Sequence, residues 1–371
     1  MQTLQRVLIL AARLACLPSP TAALLEGWSA WRNWYNVDMP RHHRPVLAIT
    51  VIGYTLGLLA WFVLWLLVGD RLWWLALLNT AALALFLPLP LLAVVVLMRH
   101  RWRLLMVLSL PVWLFAYLYG LRFLPHTRPT ISAAAPRLTA MTFNILYRNH
   151  DTQAVTTAIA SVQPDLLGLQ EVTPAHAHWF AETFAADYPY MVFRVDEPEA
   201  GVALLSRYPI MQVTRFALRP RNLALHAVVD VAGTPLHVLV VHLSPNRALR
   251  TLSPDIAPVA REYYQLKATE VQLVLAELRE VQGLHLVLCD CNLTETSAAY
   301  AQLAAVVQDS FQEAGWGLGL TSQGPGLPLR VQRIDYIWHS PDLVIETAYV
   351  GPAAGSDHRS VVAHLRLSAK R

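Results

Sequence analysis

Apolar, strand-like runs of this sequence end repeatedly in polar residues that core packing does not call for. Leu138–Phe143 runs into Asn144, Leu166–Leu169 into Gln170 and Glu171, and Leu236–Val241 into His242. Leu284–Leu288 is followed by Cys289, Asp290, Cys291 and Asn292, and Tyr349–Gly355 by Ser356, Asp357 and His358. Carboxylates and amide oxygens suit a hard divalent cation, and imidazoles near neutral pH move protons or stabilise developing negative charge. Such side chains act together only if the strand ends converge on one rim of a sheet, where sites of layered α/β domains usually lie.

The elements that must position them alternate between strand and helix. Asp151–Val162 has helical spacing behind an acidic N-cap, and Pro174–Ala186 opens with a Pro suited to a first turn. Gly201–Ser206, Met211–Ala217, Leu223–Val231 and Pro235–His242 follow as short strands with no room for helices between them. Arg261–Gln282 is predicted as a long helix with an apolar stripe of Tyr264, Leu266, Val271, Leu273, Val274, Leu278 and Val281. Strands are predicted again at Leu284–Cys291, Ile334–Trp338, Leu343–Val350 and Ser360–Leu367, with a Gly- and Pro-rich loop at Gly315–Leu329. Hairpin-linked strands mixed with helices imply an α+β fold of packed sheets with outer helices.

The first third of the chain is different. The protein is 55% hydrophobic over 371 residues, and the excess is concentrated in three uncharged runs at about 46–69, 72–98 and 104–121. Each exceeds the roughly 18 apolar residues needed to cross a bilayer core of about 30 Å. Residues 1–45, with Trp28, Trp31, Trp34 and Tyr35, read as a membrane-surface segment. Residues 122–137 carry Pro125, Pro129 and Pro136 and read as a stiff linker holding a domain of residues 138–371 close to the bilayer. Arg32, Arg41 and Arg44 before the first run, and Arg99, Arg101 and Arg103 before the third, put those segments on the cytoplasmic side. Three spans then place the domain on the extracytoplasmic side.

Charge divides along the same line. Residues 1–137 hold 12 Lys/Arg and 3 Asp/Glu, a net +9, and residues 138–371 hold 17 and 22, a net −5. The downstream domain therefore lacks the basic footprint of a dedicated nucleic-acid binder. Of the three cysteines, Cys289 and Cys291 read as small core residues on one face of a strand, with no partners at zinc-ligand spacing and no disulfide framework implied.

In order and company, these motifs resemble the endonuclease/exonuclease/phosphatase superfamily over residues 138–367. The resemblance rests on Thr142-Phe143-Asn144-Ile145, Asp165–Val172, the segment Leu205-Ser206-Arg207-Tyr208-Pro209-Ile210, Val240-Val241-His242-Leu243, Asp290-Cys291-Asn292, Arg333-Ile334-Asp335-Tyr336-Ile337 and Ser356-Asp357-His358. It implies a four-layered α/β sandwich of two packed mixed β-sheets with outer helices, here preceded by the three-helix transmembrane region. It also implies Mg²⁺ or Mn²⁺ held principally by Glu171, with Asn144 and Asp357 in or beside the metal shell. Asp290 would position or deprotonate the attacking water, and Asn292 would orient it. His242 and His358 would bind the scissile phosphate, and Asp335 would hold the His358 ring. Cys289 and Cys291 depart from the usual Gly and Phe around the aspartate. No carboxylate partner for His242 is evident, since Glu199 reads as a solvated loop position.

The implied reaction is metal-assisted attack of water on a phosphoester, with nucleic acid and phospholipid headgroups both open as substrates. The superfamily has wide nuclease precedent. The acidic domain weighs against it, and Arg215, Arg219 and Arg221 read as a solvated cluster. The bilayer is the other expected partner, and no protein partner is inferable. The non-enzymatic alternative is a membrane protein that only binds a phosphorylated ligand.

Overall fold

The computed structural model describes residues 43–126, 135–195, 201–219, 222–245, 256–324 and 329–367. The chain divides between Tyr54 and Thr55 into two compact units. The described part of the first is the start of a helix, α1 (His43–Val68). The second begins with the rest of that helix, followed by α2 (Trp73–Thr80), α3 (Pro88–Met98) and α4 (Trp102–Tyr119), with 3₁₀ turns at Ala82–Phe86 and Gly120–Phe123. Among the described residues, two helices are long and apolar enough to cross a membrane, Pro45–Val68 and Trp102–Phe123. At 1.5 Å per residue, either exceeds a bilayer core of about 30 Å.

The run at 72–98 is broken, and it makes a third candidate span if its two parts are taken as one. It is a pair of helical segments bent by 71°. Two buried polar residues stand at the end of the first segment. Asn79 accepts a hydrogen bond from Trp61 Nε1 at 3.0 Å and donates to Asp70 Oδ1 at 2.7 Å. Thr80 Oγ1 bonds back to the Ala76 carbonyl at 2.9 Å, a contact that favours helix bending. Pro88 then stands in the first turn of α3, where its missing N–H costs nothing.

The second unit continues as a sandwich. One sheet has the order β13 (Val344–Val350), β14 (Val361–Arg366), β1 (Arg137–Asn144), β2 (Leu166–Gln170), β4 (Val202–Ser206), β3 (Tyr190–Arg194). The other has the order β5 (Ile210–Arg219), β6 (Asn222–Val231), β7 (Thr234–His242), β8 (His285–Asp290), β12 (Asp335–His339), β9 (Gln308–Asp309). A small ribbon, β10 (Ser322–Gln323) and β11 (Arg330–Gln332), lies apart. Each large sheet contains one parallel pair, β1 with β2 and β7 with β8.

Three apolar clusters define the layers. The largest fills the space between the sheets, with Leu166, Leu204, Val240, Leu288 and Ile337 fully buried. The sheets approach so closely that a Cβ on Gly168 would stand 2.7 Å from Leu288 Cβ. A second cluster packs the outer face of the first sheet under α5 (Thr152–Val162) and α6 (Pro174–Thr183). The third packs the outer face of the other sheet under α7 (Ile256–Glu280) and α8 (Ala298–Ala304). A short helix, α9 (Ser310–Ala314), completes the set. The result is the expected four-layered sandwich of two mixed sheets with outer helices.

Three local expectations need correction. The buried face of α7 runs through Ala260, Tyr263, Lys267, Glu270, Val271, Val274, Leu275 and Leu278, so two charged residues replace part of the predicted stripe and Leu273 is exposed. Cys289 and Cys291 are buried in the core as expected, but they are joined by a disulfide. Arg122 is no free linker residue: its guanidinium is buried against Glu295 at 2.9 Å, and its carbonyl accepts from Gly317 N. The surface segment ending at residue 45 lies almost wholly outside the described residues, as do residues 127–134 of the linker.

Candidate active site

Strand register brings the polar ends together. His242 on β7 and Asp335 on β12 are both paired with Asp290 on β8, so the three form one row across the sheet. In the facing sheet Asn144 pairs with Gln170, which places Glu171 one residue beyond the strand end. β14 runs antiparallel to β1 and pairs Val361 with Thr142, so Asp357 and His358 just before it reach the same rim. They belong to the connection between β13 and β14, because β13 ends at Val350 and not at Gly355.

Asp290 is the hub. Its Oδ2 accepts from Asn144 Nδ2 at 2.8 Å and lies 3.5 Å from His242 Nε2 and 3.9 Å from His358 Nδ1. Its Oδ1 accepts from the Asn292 backbone N–H at 3.2 Å. Asn144 bridges the sheets, since the same Nδ2 donates to Glu171 Oε1 at 2.9 Å. Glu171 Oε2 accepts from Tyr147 N at 3.0 Å. Glu171 and Asn292 both hold positive φ, 59° and 47°. Non-glycine residues adopt this conformation at a cost of about 1–3 kcal/mol, and such strain clusters at functional sites.

His358 is gripped from both sides. Its Nδ1 lies 2.9 Å and 3.1 Å from the two oxygens of Asp335, and its Nε2 lies 3.5 Å from Ser322 Oγ. Ser356 Oγ donates to the Asn144 carbonyl and accepts from His358 N, fixing the turn. Burial alone would lower the His358 pKa, but the carboxylates of Asp335 and Asp290 push it up to about 10. Burial also raises Asp335, and the imidazolium works against that rise. The ring therefore holds its proton at neutral pH, with Nδ1 committed to Asp335.

A buried network supports this cluster from behind. Lys267 Nζ donates to the carbonyls of Ser244 at 2.6 Å and Cys291 at 3.0 Å, tying the segment after His242 to the one after Asp290. Glu270 accepts from Ser244 N at 2.9 Å and pairs with Arg219 Nε at 3.0 Å. Arg219 is therefore half-buried and ion-paired to this support. Burial lowers Lys267 to about 8, against the pull of Glu270 and Asp290.

The donor set fits a hard divalent cation. Asp357 Oδ1 is shut off from solvent and accepts no hydrogen bond from any described residue. Leaving such an oxygen unpaired costs roughly 1–3 kcal/mol or more, and a bound cation would satisfy it. Among the described residues, Asp290, Asp335 and His358 offer potential ligand atoms within 4.8 Å of one another, but their carboxylates already accept from Asn144, the Asn292 N–H and His358. Asn144 spends its Oδ1 on Leu146 N at 2.9 Å, so it orients the two carboxylates through its amide nitrogen. His242 finds its carboxylate neighbour in Asp290, while Glu199 lies outside the described residues.

Sequence reasoning missed Ser322, Thr321, Lys267 and Glu270. The first two sit in what reads as a Gly- and Pro-rich loop, yet Thr321 Oγ1 accepts from the backbone N–H groups of Ile334 and Asp335. The only available signal for the second two was a Lys and a Glu at i, i+3 on the side of a helix that must face the core.

Comparison with known proteins gives the family and the fold. The family model described as the endonuclease/exonuclease/phosphatase family matches residues 141–358. An endonuclease/exonuclease/phosphatase from Bacteroides vulgatus superposes with a TM-score of 0.51 at 20% identity, covering 63% of this chain and 100% of that one. Humanized D. rerio TDP2 carrying 14 mutations gives a TM-score of 0.51 at 17% identity, with 62% and 99% covered. D. rerio TDP2 complexed with a single-strand DNA product gives 0.51 at 16% identity over the same shares. At these identities the likeness establishes the fold. No curated protein matches the sequence. With more than half of its length matched, the chain belongs to the endonuclease/exonuclease/phosphatase family.

Proposed function

We propose that this protein is a membrane-anchored hydrolase that cleaves phosphoesters, phosphodiesters foremost, by in-line attack of water with Mg²⁺ or Mn²⁺ bound. The observation that carries the reading is the row His242–Asp290–Asp335, with His358 locked onto Asp335 at 2.9 Å and Asn144 joining Asp290 to Glu171. Glu171 and Asp357 would hold the ion, and Asn144 would fix the angle of the Glu171 carboxylate. A bound divalent ion would polarise the phosphoryl group and offset charge as it develops.

The protein's own groups do the rest. Asp290 takes the proton of the attacking water, with Asn292 orienting that water. Asp335 keeps His358 protonated, so its Nε2–H faces the phosphoryl oxygens as a charged donor. His242, beside Asp290, supplies a second imidazole to the phosphate. The apolar helices anchor the domain, and the arginines before the first and third runs support an extracytoplasmic position for it. Protection of the domain from added protease in intact cells would contradict that side.

The chemistry is tested by hydrolysis of bis(p-nitrophenyl) phosphate with Mg²⁺ or Mn²⁺, comparing wild type with Glu171→Ala and His358→Ala. Both variants should lose most turnover. Unchanged rates in both would sink the mechanism and favour a domain that only binds a phosphorylated ligand.

A further inference from the structure

The aspartate at the hub of the rim is bracketed by a covalent link. Cys289 and Cys291 are joined by a disulfide across the single residue Asp290. Both cysteines are 1% exposed and pack with Val241, Val287, Leu293, Tyr336 and Trp338 on the outer face of the sheet. Side chains alternate along a strand, so the Asp290 carboxylate leaves from the opposite side. There it accepts from Asn144 of the facing sheet at 2.8 Å, with His242 Nε2 at 3.5 Å. The disulfide therefore lies directly behind the carboxylate.

The backbone is bent at this point. Two residues of extended strand advance about 6.6 Å, whereas the Cα atoms of Cys289 and Cys291 are 5.1 Å apart. β8 ends at Asp290, and Asn292 takes a φ of 47°. The bend brings the Asn292 N–H back onto Asp290 Oδ1 at 3.2 Å. Both flanks are pinned. Cys289 is in register with Tyr336 and Val241, while Cys291 donates its N–H to the Ile334 carbonyl at 2.9 Å and accepts from Lys267 Nζ at 3.0 Å. The disulfide spans the stretch between the flanks.

Opening the link must move that stretch. Two thiols cannot stand at bonding distance, and sulfurs in van der Waals contact are farther apart by on the order of 1.5 Å. A close-packed core has little room for the change, so the displacement falls on the bend at Asp290. Misplacing a reacting group by about 1 Å can cost about 10²-fold in rate.

Resting on the reading of Asp290 as the proton acceptor, we propose that the Cys289–Cys291 disulfide is a positioning element for that carboxylate, and that dithiol reductants turn hydrolysis down. In the switching step the S–S bond breaks and two S–H bonds form. The dithiol supplies both electrons and both protons and leaves as its own disulfide. Glu171, Asp357 and His358 stand on other segments, so metal and phosphate binding survive the change.

The test uses full-length Cys16→Ser protein, in which the pair supplies the only cysteines. Hydrolysis of bis(p-nitrophenyl) phosphate with Mg²⁺ is measured before reduction, after treatment with dithiothreitol and its removal, and after reoxidation by oxidised glutathione. Alkylation in denaturant and mass spectrometry count the thiols at each stage. Reduction should lower kcat about tenfold or more, leave KM and the Mg²⁺ concentration for half-activation within about twofold, and be reversed by reoxidation. Cys289→Ser/Cys291→Ser, in the same background, should match the reduced protein and ignore the reductant. Either arm suffices: reduction decides if the double variant does not fold, and the double variant decides if the buried bond resists the reductant. A kcat within about threefold of the oxidised protein, in the double variant or in protein carrying two free thiols, overturns the proposal. So does a rise of KM and of the Mg²⁺ requirement in step with the loss of kcat, as a generally loosened site would give. If the oxidised protein hydrolyses nothing with Mg²⁺ or Mn²⁺, the hydrolase reading has failed and the positioning role falls with it.

Discussion

Asp335→Asn removes one charge from the row while keeping the side chain's size and shape. Asp335 and His358 are both fully buried, so their interaction is little screened by solvent. At an effective dielectric of about 20, unit charges attract by about 6 kcal/mol at the 2.9 Å of the Asp335 contact and by about 4 kcal/mol at the 3.9 Å of the Asp290 contact. Asp335 therefore provides the larger part of the field that holds the His358 proton. Breaking one partner of a buried pair costs about 3–5 kcal/mol. If that loss falls on the transition state, kcat drops by roughly 10²–10³-fold or more. The assay is initial-rate hydrolysis of bis(p-nitrophenyl) phosphate at saturating Mn²⁺ between pH 6 and 9. The variant should be slowest at alkaline pH and recover part of the loss as the medium is made acidic, because protons are then supplied to an imidazole that no longer holds its own. A variant within about threefold of wild type, with the same pH profile, would show that the pair does not act in the reaction.

The same pair makes a stability prediction. His358 is raised above its ordinary 6.5 to about 10, so it contributes stability fully below pH 6.5 and loses it as pH rises through 10. In EDTA, the melting advantage of wild type over His358→Gln should shrink across that window, and a constant advantage would contradict the assignment. Gly168→Ala places a Cβ 2.7 Å from Leu288 Cβ and should cost about 1–3 kcal/mol of overpacking, read as a fall in Tm of about 2–4 °C per kcal/mol. A melt identical to wild type would mean the sheets are farther apart than described. The Cys289–Cys291 bond is checked by alkylation in denaturant: among the three cysteines, one should be labelled before reduction and all three after it. Labelling of all three before reduction would refute the bond.

The rim was legible in the sequence because β-register is unforgiving. His242, Asp290 and Asp335 each end or begin a run of buried residues, and a strand that packs on both faces has no internal place for them. Asn144 and Glu171 announced themselves the same way. What hid was whatever depends on contacts between distant segments. Ser322 reaches His358 from a two-residue strand, too short to leave a periodic signal. Lys267 and Glu270 look like solvated helix charges until the carbonyls of Ser244 and Cys291 and the Ser244 N–H close around them. Asn79 and Thr80 were overlooked inside an apolar run, yet their hydrogen bonds to Asp70 and the Ala76 carbonyl accompany its bend. The cysteine pair followed the alternation expected of core residues, and alternation places side chains without stating whether they bond.

The central claim, that this rim hydrolyses phosphoesters with a divalent ion held by Glu171 and Asp357, is tested most directly by metal removal and return. Full-length protein dialysed against EDTA should show no hydrolysis of bis(p-nitrophenyl) phosphate. Titration with Mn²⁺ or Mg²⁺ should restore turnover in wild type and fail to restore it in Glu171→Gln at concentrations that saturate wild type. Undiminished hydrolysis in EDTA, or the same metal dependence in Glu171→Gln as in wild type, would contradict it.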